Sequence, residues 1–212
     1  MLDGLRRLLG LARKPTLFEW MVQQVEQHRP TPIQGILDGE VLVEGQARAG
    51  DTLVEAPITG ISVIGFRATV EAHDSAGAHK VVDWSQVTNF VVEDATGQAL
   101  VRTSGCKMVL NLEYSGDSAS GGLPSAVMAL VNRFGAVDWS RQAPSHFSWN
   151  EYYLEPGEPV IVFGRARQEV DPSKAPVGYR QSASRLVLDS PERRPLFFSD
   201  QLRDTFLQKM RG

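Results

Sequence analysis

The residues of this chain that are best suited to chemistry are its four histidines, His28, His73, His79 and His146. His73 and His79 flank a polar loop, and three carboxylates lie within a few positions of them, those of Glu71, Asp74 and Asp83. Imidazole and carboxylate groups are common ligands of zinc and related transition metals. The same residue types also occupy ordinary solvated hairpin tips. We favour the hairpin tip and predict no metal site.

Serine chemistry is the second possibility that the residue types raise. Ser145 precedes His146 directly, but nothing in their spacing to other residues indicates a nucleophile, base and carboxylate acting together. The glycine-rich stretch 115–122 lacks the Gly-Lys-Ser/Thr ending of a phosphate-binding loop. We therefore predict a protein that is not an enzyme and that needs no cofactor.

A group of aromatic residues is the most distinctive feature of the second half of the chain. It comprises Trp139, His146, Phe147, Trp149, Tyr152 and Tyr153, with Arg133 and Arg141 interleaved. Aromatic and basic side chains together can stack nucleic-acid bases, as they do on OB-folds. The same side chains can instead cover the end of a barrel or contact a protein. We favour the cover, and name Trp139, His146 and Trp149 as candidate partner-binding residues.

The elements that must position these residues are mainly strands. Residues 57–102 hold the clearest strand pattern, with β-branched and aromatic side chains in rough alternation. A polar loop around 75–77 predicts a hairpin, in which Gly77 can adopt positive φ. Residues 94–97 have the composition of a tight turn, and we expect positive φ at Gly97 as well. Read in sequence, these segments predict a β-meander that closes on itself to protect its edges.

The rest of the chain adds shorter elements. We predict a flexible linker over 115–122, a helix over 123–134, and a loop over 136–148. Strands follow over 149–157, 159–167, 185–189 and 196–198, and the glycine at 164 suggests a bulge or a sharp bend. A C-terminal helix begins after Asp200, which would cap it. The sequence thus predicts a mainly β protein, a closed or partly open antiparallel barrel with an inserted short helix and helices at both termini.

The first 29 residues predict amphipathic helices. Thr16 and Glu19 match a capping box, so a second helix should run to about His28. A leucine stripe with basic residues beside it suits a membrane surface or a partner groove, although packing on the barrel is the simpler interpretation. The candidate partner- or membrane-binding residues here are Leu5, Arg6, Arg7, Leu9, Arg13, Lys14 and Trp20.

Composition narrows the class of protein further. No run of about 18 apolar residues predicts a membrane span, and residues 1–14 lack a signal-peptide cleavage site. The single cysteine excludes a disulfide framework and a cysteine-rich zinc site, and is consistent with a reducing compartment. Residues 30–191 hold 12 basic and 19 acidic residues, a net charge of −7. That charge argues against nucleic-acid binding, and we expect a cytoplasmic location.

Several short motifs, in order, resemble the GIDE/MULAN-type "beside a membrane" domain of the mitochondrial ubiquitin ligase. They are Pro57–Gly60, Phe66–Val70, Trp84, Phe90–Gly97, Ala99–Val101, Glu151, Leu154–Ala166 and Pro195–Asp200. The resemblance covers about residues 57–210. It implies an OB-like barrel that acts as a binding or scaffolding module next to a membrane.

The chain departs from that family in two respects. The ligase members carry transmembrane helices on both sides of the domain and a catalytic RING after it, and neither pattern occurs in these 212 residues. Ligase activity is therefore not expected. We predict amphipathic helices over 1–29 and a barrel domain over 30–212, with a linker and helix inserted at 115–148. The predicted function is a non-catalytic protein-interaction module with weak peripheral contact to anionic membrane; the alternative is an OB-type domain that binds single-stranded nucleic acid.

Overall fold

The computed structural model describes residues 15–134, 144–172, 183–191 and 194–211. The helices in these ranges are α1 (Leu17–Gln27), a short 3-10 helix (Ile33–Gly35), α2 (Ser118–Gly121), α3 (Ser125–Phe134) and α4 (Arg203–Arg211). The strands are β1 (Gly39–Ala49), β2 (Val54–Glu55), β3 (Ser62–Val63), β4 (Gly65–Asp74), β5 (Gly77–Val87), β6 (Phe90–Glu93), β7 (Gln98–Val101), β8 (Lys107–Val109), β9 (Tyr114–Asp117), β10 (His146–Leu154), β11 (Pro159–Val170), β12 (Ser184–Asp189) and β13 (Phe197–Ser199).

Five strands close into a barrel, which confirms the predicted fold class. Around the barrel the order is β1-β6-β7-β12-β11, and β11 pairs again with β1. The last two strands are exchanged relative to their order in the chain, so β7 and β12 run parallel while the other four contacts are antiparallel. This Greek-key arrangement of five strands is that of an OB-like barrel.

Alternation along the strands fills the barrel interior. In β6, Phe90 and Val92 are buried and alternate with the less buried Val91 and Glu93. In β7, Ala99 and Val101 are buried in the same alternating way. The core also takes Phe198 and Leu154. One strand must turn a corner to serve two neighbours, because β1 pairs first with β11 and then with β6. The corner lies near Gly45, where a Cβ would stand 2.4 Å from the backbone oxygen of Glu93.

A second sheet of four strands, in the order β5-β4-β10-β9, lies outside the barrel. The predicted hairpin at 75–77 is confirmed as β4–β5, and Gly77 has φ 121°. The predicted continuous meander is wrong, because β5 and β6 belong to different sheets. The predicted linker over 115–122 is also wrong, since this stretch forms the end of β9 and the helix α2.

The helix α3 covers the second sheet. Its buried residues Val127, Leu130 and Val131 pack in one cluster with residues of β4 and β10. At the end of this helix, the ring of Phe134 packs at a tilt against that of Trp84 of β5, with ring centroids 4.8 Å apart. The predicted helix over 123–134 therefore exists, and its function within the fold is to cover β4 and β10.

The terminal helices pack on the barrel. The capping box at Thr16 and Glu19 is confirmed as the start of α1. Met21 and Val25 of α1 share a core cluster with Phe206 and Leu207 of α4. Asp200 does not cap α4, which begins three residues later; its carboxylate instead accepts a hydrogen bond of 2.7 Å from the backbone N–H of Asn111.

Two glycines have roles other than those predicted from their local sequence. Gly164 causes no bulge, because the pairing of β1 with β11 runs through it without a shift. A Cβ there would instead meet the backbone oxygen of Asp189 at 2.9 Å. Gly97 closes the predicted turn but is not among the glycines with positive φ, and a Cβ on it would meet Ile33 Cγ2 at 3.2 Å. Both positions therefore favour glycine because of close packing.

Candidate binding groove on the barrel

An open groove crosses the outer face of β6 and β7. It has a volume of about 920 Å³. At one side of the groove lie Gly50, which follows β1, and Asn89, which precedes β6. At another side lie Asp171, which follows β11, and Ser184, the first residue of β12. In chain order, β6 and β7 are the second and third strands of the barrel. In OB-folds the usual ligand-binding face is formed by these two strands, by the connection between the first and second strands, and by the loop between the fourth and fifth. We call this feature the β6–β7 groove.

An apolar pair lies in the β6–β7 groove. Val91 and Leu100 are cross-strand partners, and both line the groove. Their neighbours in each strand point into the barrel core, so the alternation of the strands places this pair on the outside. Both side chains are only half-buried. They provide an apolar centre among mainly polar lining residues.

Two arginines supply the positive charges of the groove, and each is paired with a carboxylate. Arg102 donates two hydrogen bonds to Glu169, one of 2.8 Å from Nη1. These bonds, together with the nearby arginines, lower the pKa of Glu169. Arg185 lies 4.0 Å from the buried carboxylate of Asp171. The pairing keeps the two guanidinium groups close to charge balance.

Hydrogen bonds fix the loops at the edges of the groove. Asp94 accepts from the backbone N–H groups of Thr96 and Gly97 at 2.7 and 2.9 Å, and from that of Ile33 at 2.9 Å. The bonds lower the pKa of Asp94, against an opposing effect of burial. On the other side, Asn89 Oδ1 accepts from the backbone N–H of Thr103 at 3.0 Å. The strands and turns around the groove are thus held in one geometry.

The binding candidates predicted from the sequence do not meet in this groove. Leu5, Arg6, Arg7, Leu9, Arg13, Lys14 and Trp139 lie outside the described residues. Trp20 is half-buried against the barrel, with its ring 5.8 Å from those of Phe163 and Phe197. This contact supports the packing alternative for α1.

Trp149 requires a correction as a partner-binding candidate. Its side chain is only 5% exposed and belongs to the core beneath α3. The ring lies against Gly116 of β9, where a Cβ would come within 2.3 Å of Cζ2. A partner could not reach this ring without opening the sheet. Alternation along β10 buries Trp149, whereas the sequence alone left its face undetermined.

Two histidines of the second sheet form a stacked pair. His73 and His146 are cross-strand partners whose ring centroids lie 4.2 Å apart. His73 Nε2 lies 2.9 Å from Ser148 Oγ, and His146 Nε2 lies 3.6 Å from Asp117. No group of three or more histidine, cysteine or acidic side chains in the described ranges is arranged to hold a metal ion. His79 is separate, 3.7 Å from Asp74.

The only cysteine has a thiol that is poorly suited to nucleophilic chemistry. Burial raises the pKa of Cys106 to about 11. The thiolate is the reactive form of cysteine, so this thiol stays protonated at neutral pH. Cys106 packs against the barrel core beside Met108 and Leu110. Its position is explained by packing.

Comparisons of the chain with protein-family models, with curated proteins and with solved structures found no match. The resemblance to the GIDE/MULAN-type domain therefore stays a prediction. Within the part of the chain that the structure describes, no helix combines the length and the apolar character needed to cross a bilayer. By its fold, the chain is an OB-like barrel protein with an attached four-stranded sheet.

The groove residues Val91, Leu100 and Arg102 were not predicted as site residues. Val91 and Leu100 lie in strands whose alternation was visible in the sequence, and Arg102 directly follows β7. Alternation shows which residues of a strand point outward from the barrel. Combined with the order of strands around an OB-like barrel, it would have shown which of these outward residues line the ligand-binding face. That order depends on pairing between β7 and β12, far apart in the chain.

Proposed function

We propose that this chain is a non-catalytic interaction and scaffolding module that binds a protein partner through the β6–β7 groove. The observation that carries the proposal is the apolar pair Val91–Leu100 on the outside of the barrel, within a mainly polar groove. Protein interfaces commonly have an apolar centre with a polar rim. The groove also occupies the face that OB-folds use for their ligands.

The charges in the groove support a protein partner over single-stranded nucleic acid, the alternative function. Nucleic acid is bound through unbalanced positive charge and through aromatic rings on which bases stack. Arg102 and Arg185 are each paired with a carboxylate, and Asp51 adds a further negative charge. Among the described lining residues there is no aromatic side chain. Mixed charges and an apolar centre suit a folded protein surface better than a polyanion.

A location next to a membrane is part of the proposal and depends on the sequence. Residues 1–14 combine leucines with four basic residues and one acidic residue. Such a segment gives weak, reversible attachment to an anionic surface. The resemblance to the "beside a membrane" domain supports the same location. The barrel would then present its groove to a partner near that surface.

The proposal is tested by affinity capture followed by reconstitution. The immobilised full-length protein is used to capture proteins from its native lysate, and those captured are quantified for the wild type and for Leu100→Asp. A charge at the centre of the apolar pair should reduce binding of a true partner by at least about tenfold. The partner is then purified and its affinity measured by calorimetry for both forms.

The matched control is Leu112→Asp. Leu112 is exposed and lies outside the groove, so this variant should bind the purified partner as the wild type does. Titration of labelled single-stranded DNA and RNA at about 50 mM salt tests the alternative. Salt-sensitive nucleic-acid binding that Leu100→Asp abolishes, with no protein partner, would replace the proposal by that alternative.

A further inference from the structure

A buried polar network joins the end of β13 to the connection between β8 and β9. Asp200 and Gln201 directly follow β13, and only 9% and 4% of them is exposed. Both side chains converge on Asn111: Asp200 Oδ2 accepts from its backbone N–H at 2.7 Å, and Gln201 Nε2 donates to its Oδ1 at 2.9 Å. Lys209 of α4 donates to the same Oδ1 at 2.7 Å. The network therefore ties the end of the strand, the connection and the C-terminal helix together.

Two acceptor atoms of this network lack a donor. Among the described residues, none hydrogen-bonds to Asp200 Oδ1 or to Gln201 Oε1, and both atoms are shielded from solvent. Buried polar groups are nearly always hydrogen-bonded, and a buried carboxylate with too few donors is strongly destabilising. An ionised carboxyl group and an amide oxygen can only accept hydrogen bonds. The two oxygens therefore need a donor that the ionised form of Asp200 does not supply.

A proton on Asp200 supplies that donor without any added group. A protonated carboxyl has one O–H donor and still accepts at its other oxygen, so Oδ2 keeps its bond from Asn111. A metal ion suits the position less well. In the described ranges, no group of three or more histidine, cysteine or acidic side chains is arranged to hold one. The ammonium group of Lys209 already lies in the network and would repel it.

The groups that face Asp200 favour its neutral form on balance. Its acidic neighbours are Glu113, in the connection between β8 and β9, and Glu158, in the turn between β10 and β11. Its basic neighbour is Lys209 on α4. Burial is the largest effect and raises the pKa of Asp200, and Glu113 raises it further. The N–H of Asn111 and the charge of Lys209 oppose this shift without cancelling it.

We infer that Asp200 is protonated in the folded protein, that its Oδ1–H donates to Gln201 Oε1, and that this proton makes a pH-sensitive switch of the contact that holds β13 and α4 on the barrel. Loss of the proton as the pH rises leaves a buried carboxylate with a single donor, which Glu113 and Glu158 repel. The contact then weakens. Neither Asp200 nor Gln201 lines the β6–β7 groove, so this switch goes beyond the proposed function and does not depend on it.

The protonation state is measured directly by ¹³C NMR of the full-length wild-type protein. The Cγ resonance of Asp200 is assigned through its bonds to the backbone and followed from about pH 4 to pH 8. We expect it to titrate above the usual aspartate value of about 4. A titration at or below that value would overturn the inference. Because this measurement uses the wild type alone, it decides the question even if a variant fails to fold.

Asp200→Asn tests the consequence for stability. Its NH₂ group can donate to Gln201 Oε1 while its oxygen accepts from Asn111, so the variant imitates the protonated carboxyl. The unfolded carboxyl ionises near pH 4 and the folded one only at higher pH, so in this interval unfolding of the wild type releases one proton. Relative to the variant, the unfolding constant of the wild type should rise by up to about tenfold per pH unit. The rise ends once the folded carboxyl has ionised.

Asp204→Asn is the matched control, because Asp204 also lies on α4 and its side chain is 96% exposed. Its unfolding constant, measured in urea, should keep a fixed ratio to that of the wild type over the same pH range. A fixed ratio for Asp200→Asn as well would overturn the inference. So would a stabilisation of the wild type by Ca²⁺ or Mg²⁺ at neutral pH that Asp200→Asn abolishes, since the two oxygens would then hold a cation.

Discussion

Arg102, which follows β7, and Glu169 on β11 are joined across β12 by two hydrogen bonds between guanidinium and carboxylate. Arg102 lines the β6–β7 groove, so the ion pair stands beside that groove. Glu169 also forms an ion pair with Arg167, whose Nη2 lies 3.1 Å from Oε1. One carboxylate therefore pairs with two arginines, and Arg102 is the one that lines the groove proposed for partner binding.

The corner of β1 gives the first prediction, for Gly45→Ala. The added methyl group would lie 2.4 Å from the backbone oxygen of Glu93, so β1 and β6 must move apart. We expect the free energy of unfolding to fall by about 1–3 kcal/mol, as in other overpacked sites. Gly35→Ala is the control, because a Cβ there meets nothing within 4 Å. Equal denaturant midpoints for the two variants would contradict the packing at this corner.

The buried carboxylate of Glu151 gives the second prediction. Its two oxygens accept from the backbone N–H groups of Ile58 and Thr59 at 2.7 and 3.0 Å. In Glu151→Gln one oxygen becomes an NH₂ group, which leaves a backbone donor unpaired. Unfolding should then require about 1–3 kcal/mol less than in the wild type. Glu40→Gln, at an exposed position, should change the free energy of unfolding by less than about 0.5 kcal/mol. A similar loss of stability in both variants would show that Glu151 does not hold the turn at Ile58 and Thr59.

The hairpin β4–β5 should show a pH-dependent contribution to stability from Asp83. Hydrogen bonds from Arg67, and then from Lys80, lower the pKa of Asp83 to about 2. The unfolded carboxyl titrates near 4, so the stabilisation is present above about pH 4 and is lost as the pH falls towards 2. The pair is exposed, which limits the effect to under about 1 kcal/mol.

Urea unfolding of wild type and Asp83→Asn across this pH range measures that contribution. The two proteins should differ at neutral pH and converge near pH 2. A difference that is constant with pH would mean that the carboxylate charge is not what stabilises the hairpin.

The sequence predicted local elements well because their signals are local. Alternation, turn composition and the capping box identified the β4–β5 hairpin, the turn at 94–97 and the start of α1. These features depend on residues within a few positions of one another. The closed barrel was also predicted, from the need to protect strand edges and from the resemblance to the GIDE/MULAN-type domain.

Partner strands could not be predicted because period-two alternation indicates a face and not a neighbour. The pairing of β4 with β10 places His73 opposite His146. Because of this second sheet, β5 belongs to a different sheet from β6, its neighbour in the chain. The same limit concealed the β6–β7 groove, since its position depends on which strands close the barrel. Trp149 illustrates the consequence: its residue type suited a surface site, and its pairing with Val70 and Gly116 buries it.

Residues 1–14 are predicted to attach the protein weakly to an anionic membrane. The full-length protein should float with anionic liposomes at low salt, and less so as salt rises, because each basic residue near the surface contributes about 1 kcal/mol. Deletion of residues 1–14 should abolish flotation. Neutral liposomes serve as the control. If the shortened protein floats as well as the full-length protein does, the segment is not the membrane contact.

The central claim is that the β6–β7 groove contacts a protein partner, and site-specific photo-crosslinking tests it most directly. Benzoylphenylalanine is placed at Leu100 in the groove and, as a control, at the exposed Lys80 of β5. After irradiation in the native lysate, crosslinked products are identified by mass spectrometry. We predict that the Leu100 position yields one defined protein and that the Lys80 position does not. Products from Leu100 that contain only nucleic acid, or that match those from Lys80, would contradict the claim.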